Sequence, residues 1–110
     1  KYLAEVYLIT VYSIVPIRGF ASEVVRRFFK TGDLGRKVRW LGVSKVVARK
    51  LDILDYAALL LDLARPPANR LEALKGDLKG FHSIRVNDQW RVIFRWTSAG
   101  PSDVDVVDYH

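Results

Sequence analysis

Hydrophobic residues in the first half of the chain recur at intervals of three and four, the spacing of one helix face. The first such set follows Ser22 and consists of Val24, Val25, Phe28 and Phe29. A serine before the set suits a helix N-cap, and Gly32 after it suits a left-handed C-terminal cap. The pattern predicts a first helix of about ten residues.

A second set with the same spacing predicts a longer helix. Its members are Val43, Val46, Val47, Leu51 and Leu54. Either Ser44 caps this helix, or the helix already begins near Arg39. The stretch from Tyr56 to Ala64 predicts one further short helical turn, which ends at Arg65-Pro66-Pro67 because proline cannot continue a helix.

Alternating hydrophobic and polar residues in the second half predict strands. Two strands, within residues 81–86 and 90–96, flank the turn-favouring Asn87-Asp88-Gln89. A three-residue loop would pair Arg85 with Arg91 and Ile84 with Val92. That register places hydrophobic side chains on one face of the sheet and basic ones on the other. The hydrophobic set is Ile84, Val86, Trp90, Val92 and Phe94, with His82 at its edge, and the basic set is Arg85, Arg91 and Arg95.

Two further stretches complete a predicted sheet. Leu71–Leu74 reads as a short strand, and Asp103–Tyr109 supplies another after a turn at residues 99–102. The expected fold class is α+β, in which N-terminal helices pack on one face of a mainly antiparallel sheet. The opposite face of the sheet is expected to be polar and cationic.

Composition limits the number of domains and the kinds of site that the chain can have, and it agrees with the predicted fold. A chain of 110 residues, half of them hydrophobic, suits one globular domain, expected at residues 15–110 after an extension at residues 1–14. That extension is hydrophobic, but it is too short for a transmembrane helix and contains Glu5, so no membrane partner is expected. The absence of cysteine excludes disulfides and thiolate zinc sites, and two distant histidines give no reason to expect a metal or other cofactor.

Positive charge is concentrated in one third of the sequence. Residues 18–50 contain ten lysines and arginines against two acidic residues, whereas the net charge of the whole chain is +6. A patch of this kind suits a polyanion such as nucleic acid. A solvated helical surface explains it equally well.

The C-terminal end brings together residue types that can do chemistry. The last predicted strand ends on Asp108, Tyr109 and His110. Histidine titrates near neutral pH and can therefore donate or accept a proton. Arg85 and Arg91 would face each other, and because like charges repel, an anion is expected between them. That anion is either Asp105 or Asp108, or a phosphate held by the guanidinium groups.

Lys75 and Gly76 lie in a basic turn before Gly80, which is either a place where the backbone approaches a phosphate or an ordinary loop. RNA can be cleaved without a metal when its own 2′-hydroxyl attacks the adjacent phosphorus. The protein then accepts one proton, stabilises the pentavalent intermediate with cations and protonates the leaving oxygen. Arginine, lysine, tyrosine, aspartate and histidine are the residue types that such a site uses.

Three segments resemble the HigB toxins of the RelE/ParE superfamily, also described as plasmid maintenance system killer proteins. They are Asn69–Asp77 with its Leu-Lys-Gly-Asp, Ser83–Arg91 with its Gln-Trp-Arg, and the terminal Asp-Tyr-His. Ile17–Phe20 and Thr31-Gly32 also look like the family's first third. The resemblance covers residues 15–110, and the segment from Leu74 to Arg91 is the most specific part of it.

The resemblance implies a compact RelE-like fold and a cytoplasmic, cofactor-free endoribonuclease that cuts mRNA on the ribosome. It also implies neutralisation by a HigA-like helix-turn-helix antitoxin, and contact with operator DNA only through that antitoxin. Carried over by position, the catalytic residues are Lys75, Arg91, Asp108, Tyr109 and His110. The further cations expected to bind RNA are Arg70, Lys79, Arg85 and Arg95.

Two departures from the family pattern leave roles open. Glu72 stands where some members have histidine, and it is either a base or an ion-pair partner of Lys75, so the proton acceptor is Glu72 or His110. His82 stands where the family commonly has tryptophan. The alternative function is that of a non-nucleolytic ParE-like toxin that poisons a protein such as gyrase, and a purely structural nucleic-acid binder comes third.

Overall fold

The computed structural model describes residues 16–35 and 37–109. Their helices and strands, in chain order, are α1 (Glu23–Thr31), α2 (Ser44–Tyr56), β1 (Glu72–Ala73), β2 (His82–Arg85), β3 (Trp90–Thr97) and β4 (Gly100–Asp108). Short 3-10 turns lie at Leu41–Val43, Leu60–Ala64, Pro67–Asn69 and Gly76–Leu78. Within these ranges no helix combines the length and the hydrophobicity that crossing a bilayer requires. The extension predicted at residues 1–14 and the terminal His110 lie outside the described residues.

Helix α1 begins and ends as its sequence predicts. The Ser22 hydroxyl accepts a hydrogen bond from the Val25 amide at 3.2 Å. At the other end Gly32 has a φ of 77°, and its amide donates to the Phe28 carbonyl at 2.8 Å. This left-handed cap satisfies a carbonyl that the helix itself leaves unpaired.

Helix α2 starts differently from the prediction. Ser44 is its first residue rather than its cap, and Val43 precedes it with no side-chain cap hydrogen bond. The expected serine cap and the alternative start near Arg39 are therefore both wrong. The 3-10 turn at Leu41–Val43 leads directly into the helix, so the backbone of that turn takes the place of a capping side chain.

The turn after α2 is shorter than the predicted stretch from Tyr56 to Ala64. It forms only at Leu60–Ala64, because the Asp62 side chain binds the backbone of the residues just before it and keeps them out of the helical turn. Its carboxylate accepts from the amides of Ala58 at 3.1 Å and Leu59 at 2.9 Å. These hydrogen bonds lower the pKa of Asp62.

The sheet has the strand order β1-β2-β3-β4, with each neighbouring pair antiparallel. The predicted register is confirmed, since Arg85 lies opposite Arg91 and Ile84 opposite Val92. The fold class α+β is confirmed as well, because α1 and α2 both pack on the hydrophobic face of this sheet.

Strand β4 starts three residues earlier than predicted. The turn expected at residues 99–102 closes sooner because the Thr97 hydroxyl donates to the Gly100 carbonyl at 2.6 Å. Gly100, Pro101 and Ser102 then pair with β3. A β-bulge follows, in which Asp103 has a φ of 52° and one extra residue enters β4 opposite the stretch from Ile93 to Arg95.

The core lies between the helices and one sheet face. Its fully buried members are Val25, Val47, Leu51, Leu54, Leu63, Ile84, Val92, Phe94 and Val104. His82 stacks on Phe94 at the edge of this core, as predicted, with ring centroids 6.1 Å apart. The opposite face, which we call the open face, is less polar than expected. Ile93 and Ser83 are buried at its centre, since they lie side by side on the two middle strands.

One buried polar connection crosses the molecule from α2 to the turn before β1. The Lys50 amine donates to the Asn69 side-chain carbonyl at 2.5 Å, and the Asn69 amide donates to the Leu63 carbonyl at 3.1 Å. Burial is the main cause that lowers the pKa of Lys50, and the positive charges of Arg49 and Arg85 lower it further.

The lowered pKa makes the stability of the fold depend on pH. Below the folded-state pKa of Lys50 the buried ammonium carries its full desolvation cost, and that cost disappears as pH rises toward the ordinary value of 10.5. We therefore expect the difference in unfolding free energy between Lys50→Met and the wild type to move toward destabilisation of the variant as the pH rises toward 10.5. Urea denaturation at a series of pH values measures this difference, and the exposed Lys45→Met on the same helix is the control. A difference that stays constant with pH would contradict the prediction.

Candidate active site

Three side chains from three strand ends meet on the open face. The Arg91 guanidinium carbon lies 5.0 Å from the centre of the Tyr109 ring, and the Tyr109 hydroxyl lies 3.4 Å from a carboxylate oxygen of Glu72. The Tyr109 amide donates to the Gln89 carbonyl at 2.7 Å, which extends the β3–β4 pairing one residue beyond β4. That pairing fixes Tyr109 on the same face as Arg91, because side chains alternate along a strand.

These side chains border an open pocket of about 400 Å³. Its lining consists of Arg70, Leu71, Glu72, Arg91 and Tyr109. The volume falls within the ~300–1,000 Å³ that small-ligand sites usually have. Two guanidinium groups, a carboxylate and a phenol give the pocket cations for an anion and a group that can accept a proton.

Arg91 is held from the turn that precedes it. One of its terminal nitrogens donates to the carbonyls of Asn87 at 2.5 Å and Trp90 at 3.2 Å. Its Nε is buried without a hydrogen-bond partner among the described residues. A buried donor left unpaired costs about 1–3 kcal/mol, so it calls for an explanation, and a catalytic role is one such explanation.

Lys75 and Lys79 flank the 3-10 turn at Gly76–Leu78, and both are exposed. Within the described ranges no hydrogen bond or ion pair joins either lysine to Glu72, Arg91 or Tyr109. The ion pair suggested between Glu72 and Lys75 is not formed there, and the hydrogen bond of Glu72 goes to Tyr109 instead.

Asp108 lies on the other side of the strand from Tyr109. It is opposite Trp90 in the register, on the face that packs against the helices. One of its carboxylate oxygens accepts from the Arg39 guanidinium at 3.2 Å and from the Gln89 side-chain amide at 3.0 Å. The Arg39 guanidinium also covers the Trp90 ring at 5.3 Å. The last two described residues are therefore held from opposite faces of the sheet.

Arg39 and Gln89 were not among the residues that the sequence singled out. Gln89 lies in the specific segment from Leu74 to Arg91, so that resemblance carried a signal for it. Nothing in the local sequence around Arg39 indicates that it meets Asp108, since 69 residues separate them.

Arg85 lies directly opposite Arg91, and its counter-charge comes from an unexpected residue. Its guanidinium pairs with Asp88 at 2.5 Å, so the expectation that Asp105 or Asp108 neutralises it is wrong. Residue spacing explains this, because Asp88 is in the adjoining turn whereas Asp105 is two strands away. The hydrogen bond and the positive charge of Arg85 lower the pKa of Asp88. Half-burial raises the pKa of Asp105, although a hydrogen bond from the Val106 amide opposes this.

Arg95 is at the far end of the open face, about 13 Å from Arg91 along β3. Its guanidinium covers the Phe81 ring at 4.3 Å and lies 3.4 Å from Asp103. A Cβ on Gly80 would come within 2.6 Å of this guanidinium, so the glycine allows the close packing. The structure thus brings Arg70, Glu72, Arg91 and Tyr109 to one pocket, with Arg85 adjacent and Arg95 apart.

Comparison with known proteins identifies the family of the chain. A family model described as a RelE-like toxin of type II toxin-antitoxin system HigB matches residues 18–110. Toxin HigB-1 of Vibrio cholerae is 54% identical over 77 residues, which cover 70% of this chain and 80% of that protein. An uncharacterised protein of Haemophilus influenzae is 39% identical over 77 residues, or 70% of this chain and 75% of its own length.

A more distant likeness exists to a solved structure, a YoeB/ParE toxin from Agrobacterium tumefaciens. It has 17% sequence identity and a TM-score of 0.48, and it covers 86% of this chain and 99% of that one. The family model spans most of the sequence, and the match to the Vibrio cholerae toxin reaches over most of that protein. The chain therefore belongs to the HigB family of RelE-like toxins, the toxic components of type II toxin–antitoxin systems.

Proposed function

We propose that this toxin is an mRNA endoribonuclease that acts in the cytoplasm on messages under translation by the ribosome, without a metal or other cofactor. The observation that carries the proposal is the contact of Arg91, Tyr109 and Glu72 around one open pocket. These groups supply a cation, a hydroxyl and a carboxylate to the same small volume. Together they suit proton transfer beside a phosphodiester.

In the proposed reaction the 2′-hydroxyl of the substrate attacks the adjacent phosphorus. A new 2′-O–P bond forms, the P–O5′ bond breaks, and the products carry a 2′,3′-cyclic phosphate and a 5′-hydroxyl. Arg91 stabilises the negative charge that builds up on the phosphorane oxygens, and Lys75 reaches the same phosphate from the neighbouring loop. Charge stabilisation by preorganised donors of this kind accelerates a reaction by about 10²–10³-fold per donor.

Glu72 is the proposed proton acceptor, because its carboxylate already borders the pocket and is oriented by the Tyr109 hydroxyl. His110 is then left to protonate the leaving oxygen. Asp108 and Tyr109 orient the nucleotide from the strand end, and Arg70, Lys79, Arg85 and Arg95 attract the RNA backbone. Cations around a single strand give salt-sensitive binding.

A type II toxin implies an antitoxin partner, here proposed to be a HigA-like helix-turn-helix protein. The toxin would reach operator DNA only through it.

Arg91→Ala is expected to lower the rate of mRNA cleavage by about 10²–10³-fold, because it removes the main stabiliser of the phosphorane. Arg91→Lys keeps the charge but loses the bidentate geometry, so an intermediate rate is expected. Mapping of RNA ends by primer extension on a translated message measures both. The exposed Lys45→Ala on α2 should cleave like the wild type. Toxicity with intact mRNA and with inhibited DNA supercoiling would instead select the ParE-like alternative.

Glu72→Gln is expected to lower kcat by about 10²–10⁴-fold and to remove the acid limb of the pH–rate profile, since the amide cannot accept the proton. Tyr109→Phe keeps the ring over Arg91 and loses only the hydroxyl that orients Glu72, so a smaller loss is expected. Removal of His110 should leave the acid limb in place. If the limb survives Glu72→Gln and disappears with His110, the two assignments must be exchanged.

Arg39→Ala and Gln89→Ala together are expected to lower cleavage by more than the product of the two single losses, because either side chain alone still holds Asp108. An exposed ion pair contributes only about 0.2–1 kcal/mol, so each single loss should be about fivefold or less. Single-turnover cleavage by the two single variants and the double variant gives the comparison. Strictly additive losses would show that the two side chains do not share this task.

A further inference from the structure

The buried connection from Lys50 to Leu63 runs through Asn69, the residue immediately before the pocket residue Arg70. Lys50 is 6% exposed and Asn69 is fully buried, although the surrounding core is hydrophobic. Burying an ammonium group is costly unless a partner compensates it, and an all-hydrophobic replacement is often as stable. The polar pair therefore calls for an explanation other than stability. Its position suggests one, because Asn69 is followed directly by Arg70.

Arg70 has a backbone conformation that side chains rarely adopt. Its φ is 45° and its ψ is 55°, in the left-handed region, and its amide donates to the Pro67 carbonyl at 3.1 Å. Glycine occupies this region without steric cost, whereas other residues are strained in it. Strained residues that the surrounding structure holds in place cluster at functional sites.

The side chain of Arg70 lies where a second cation would be useful. It lines the same pocket as Arg91, is exposed, and forms no ion pair within the described ranges. One terminal nitrogen of Arg91 already donates hydrogen bonds to two backbone carbonyls. Arg70 thus offers the pocket a guanidinium that is not committed to another residue's carboxylate.

We propose that Arg70 is a second phosphate-binding residue, which holds the phosphate next to the one that Arg91 stabilises, and that the Lys50–Asn69 pair is the device that positions it. The pair fixes the residue before Arg70 from within the core, so the strained backbone cannot relax and turn the guanidinium away. This proposal deepens the proposed function and rests on it.

The test compares two uncleavable probes, a 2′-deoxy dinucleotide with and without a 5′-terminal phosphate. The wild type should bind the phosphorylated probe about two- to fivefold more tightly, as expected for one exposed charge pair. Arg70→Gly should bind both probes equally, and its melting temperature should not fall, because glycine relieves the backbone strain. The preserved fold separates loss of the guanidinium from general damage.

Lys50→Met tests the positioning role. It should also bind the two probes equally, although Arg70 is intact, and it should have no further effect in the Arg70→Gly background. A merely structural role for Lys50 would change the melting temperature without changing the ratio of the two affinities. Lys45→Met, exposed on the same helix, is the matched control and should keep the wild-type ratio.

Several outcomes would overturn the proposal. A phosphate preference retained by Arg70→Gly would refute the binding role, and one retained by Lys50→Met would refute the positioning role. Equal binding of the two probes by the wild type, or no binding of either, would refute both. The cleavage assay on translated mRNA tests the proposed function separately. If the wild type cleaves mRNA but binds the two probes equally, only the role of Arg70 is refuted and the proposed function stands.

Discussion

The pairing of β3 between β2 and β4 is the constraint on which the rest of the molecule depends. Arg91 reaches the open face only because its neighbours Trp90 and Val92 are buried against the helices. Side chains alternate with a period of two, so a slip by one residue would exchange these sets and put the guanidinium into the core. The hydrophobic face therefore fixes the register, and the register places the pocket.

Much of this arrangement could be predicted because it follows from local pattern. Ser22 and Gly32 bound α1 through contacts within the same turn, and the three-residue loop between two alternating stretches gave the pairing of Arg85 with Arg91. The predictions that were wrong involve competition between neighbouring groups. The Thr97 hydroxyl closes the β3–β4 turn early, and the preceding 3-10 turn makes a cap at Ser44 unnecessary. Sequence pattern has no means of ranking such alternatives, which differ by single hydrogen bonds.

The candidate site residues were predicted from local pattern together with the family resemblance. The contacts that were not predicted join residues far apart in the sequence. Local pattern supplied Lys75, Arg91 and the end of β4, and the resemblance added Glu72 and gave these residues their expected roles. Contacts between Arg39 and Asp108, or between Lys50 and Asn69, join residues 69 and 19 positions apart. A single sequence carries no sign of which charged residue will be buried or which exposed one will find a partner. The first half of the chain consequently reaches the strand end at Asp108 and the turn at Asn69 through side chains that look like ordinary surface or core positions.

The bulge at Asp103 determines which faces of the sheet Asp108 and Tyr109 occupy. Before it, Gly100 and Ser102 share a face with Thr97 and Arg95, whereas after it Asp105 and Val107 take over the face of Ile93 and Arg91. The extra residue changes the parity of β4. Without it, Asp108 would point toward the pocket and Tyr109 toward the helices. Loss or gain of two residues in this strand would preserve that assignment, whereas loss or gain of one would invert it. Whether Asp108 or Tyr109 meets Arg91 thus depends on whether the number of residues gained or lost in β4 is odd or even.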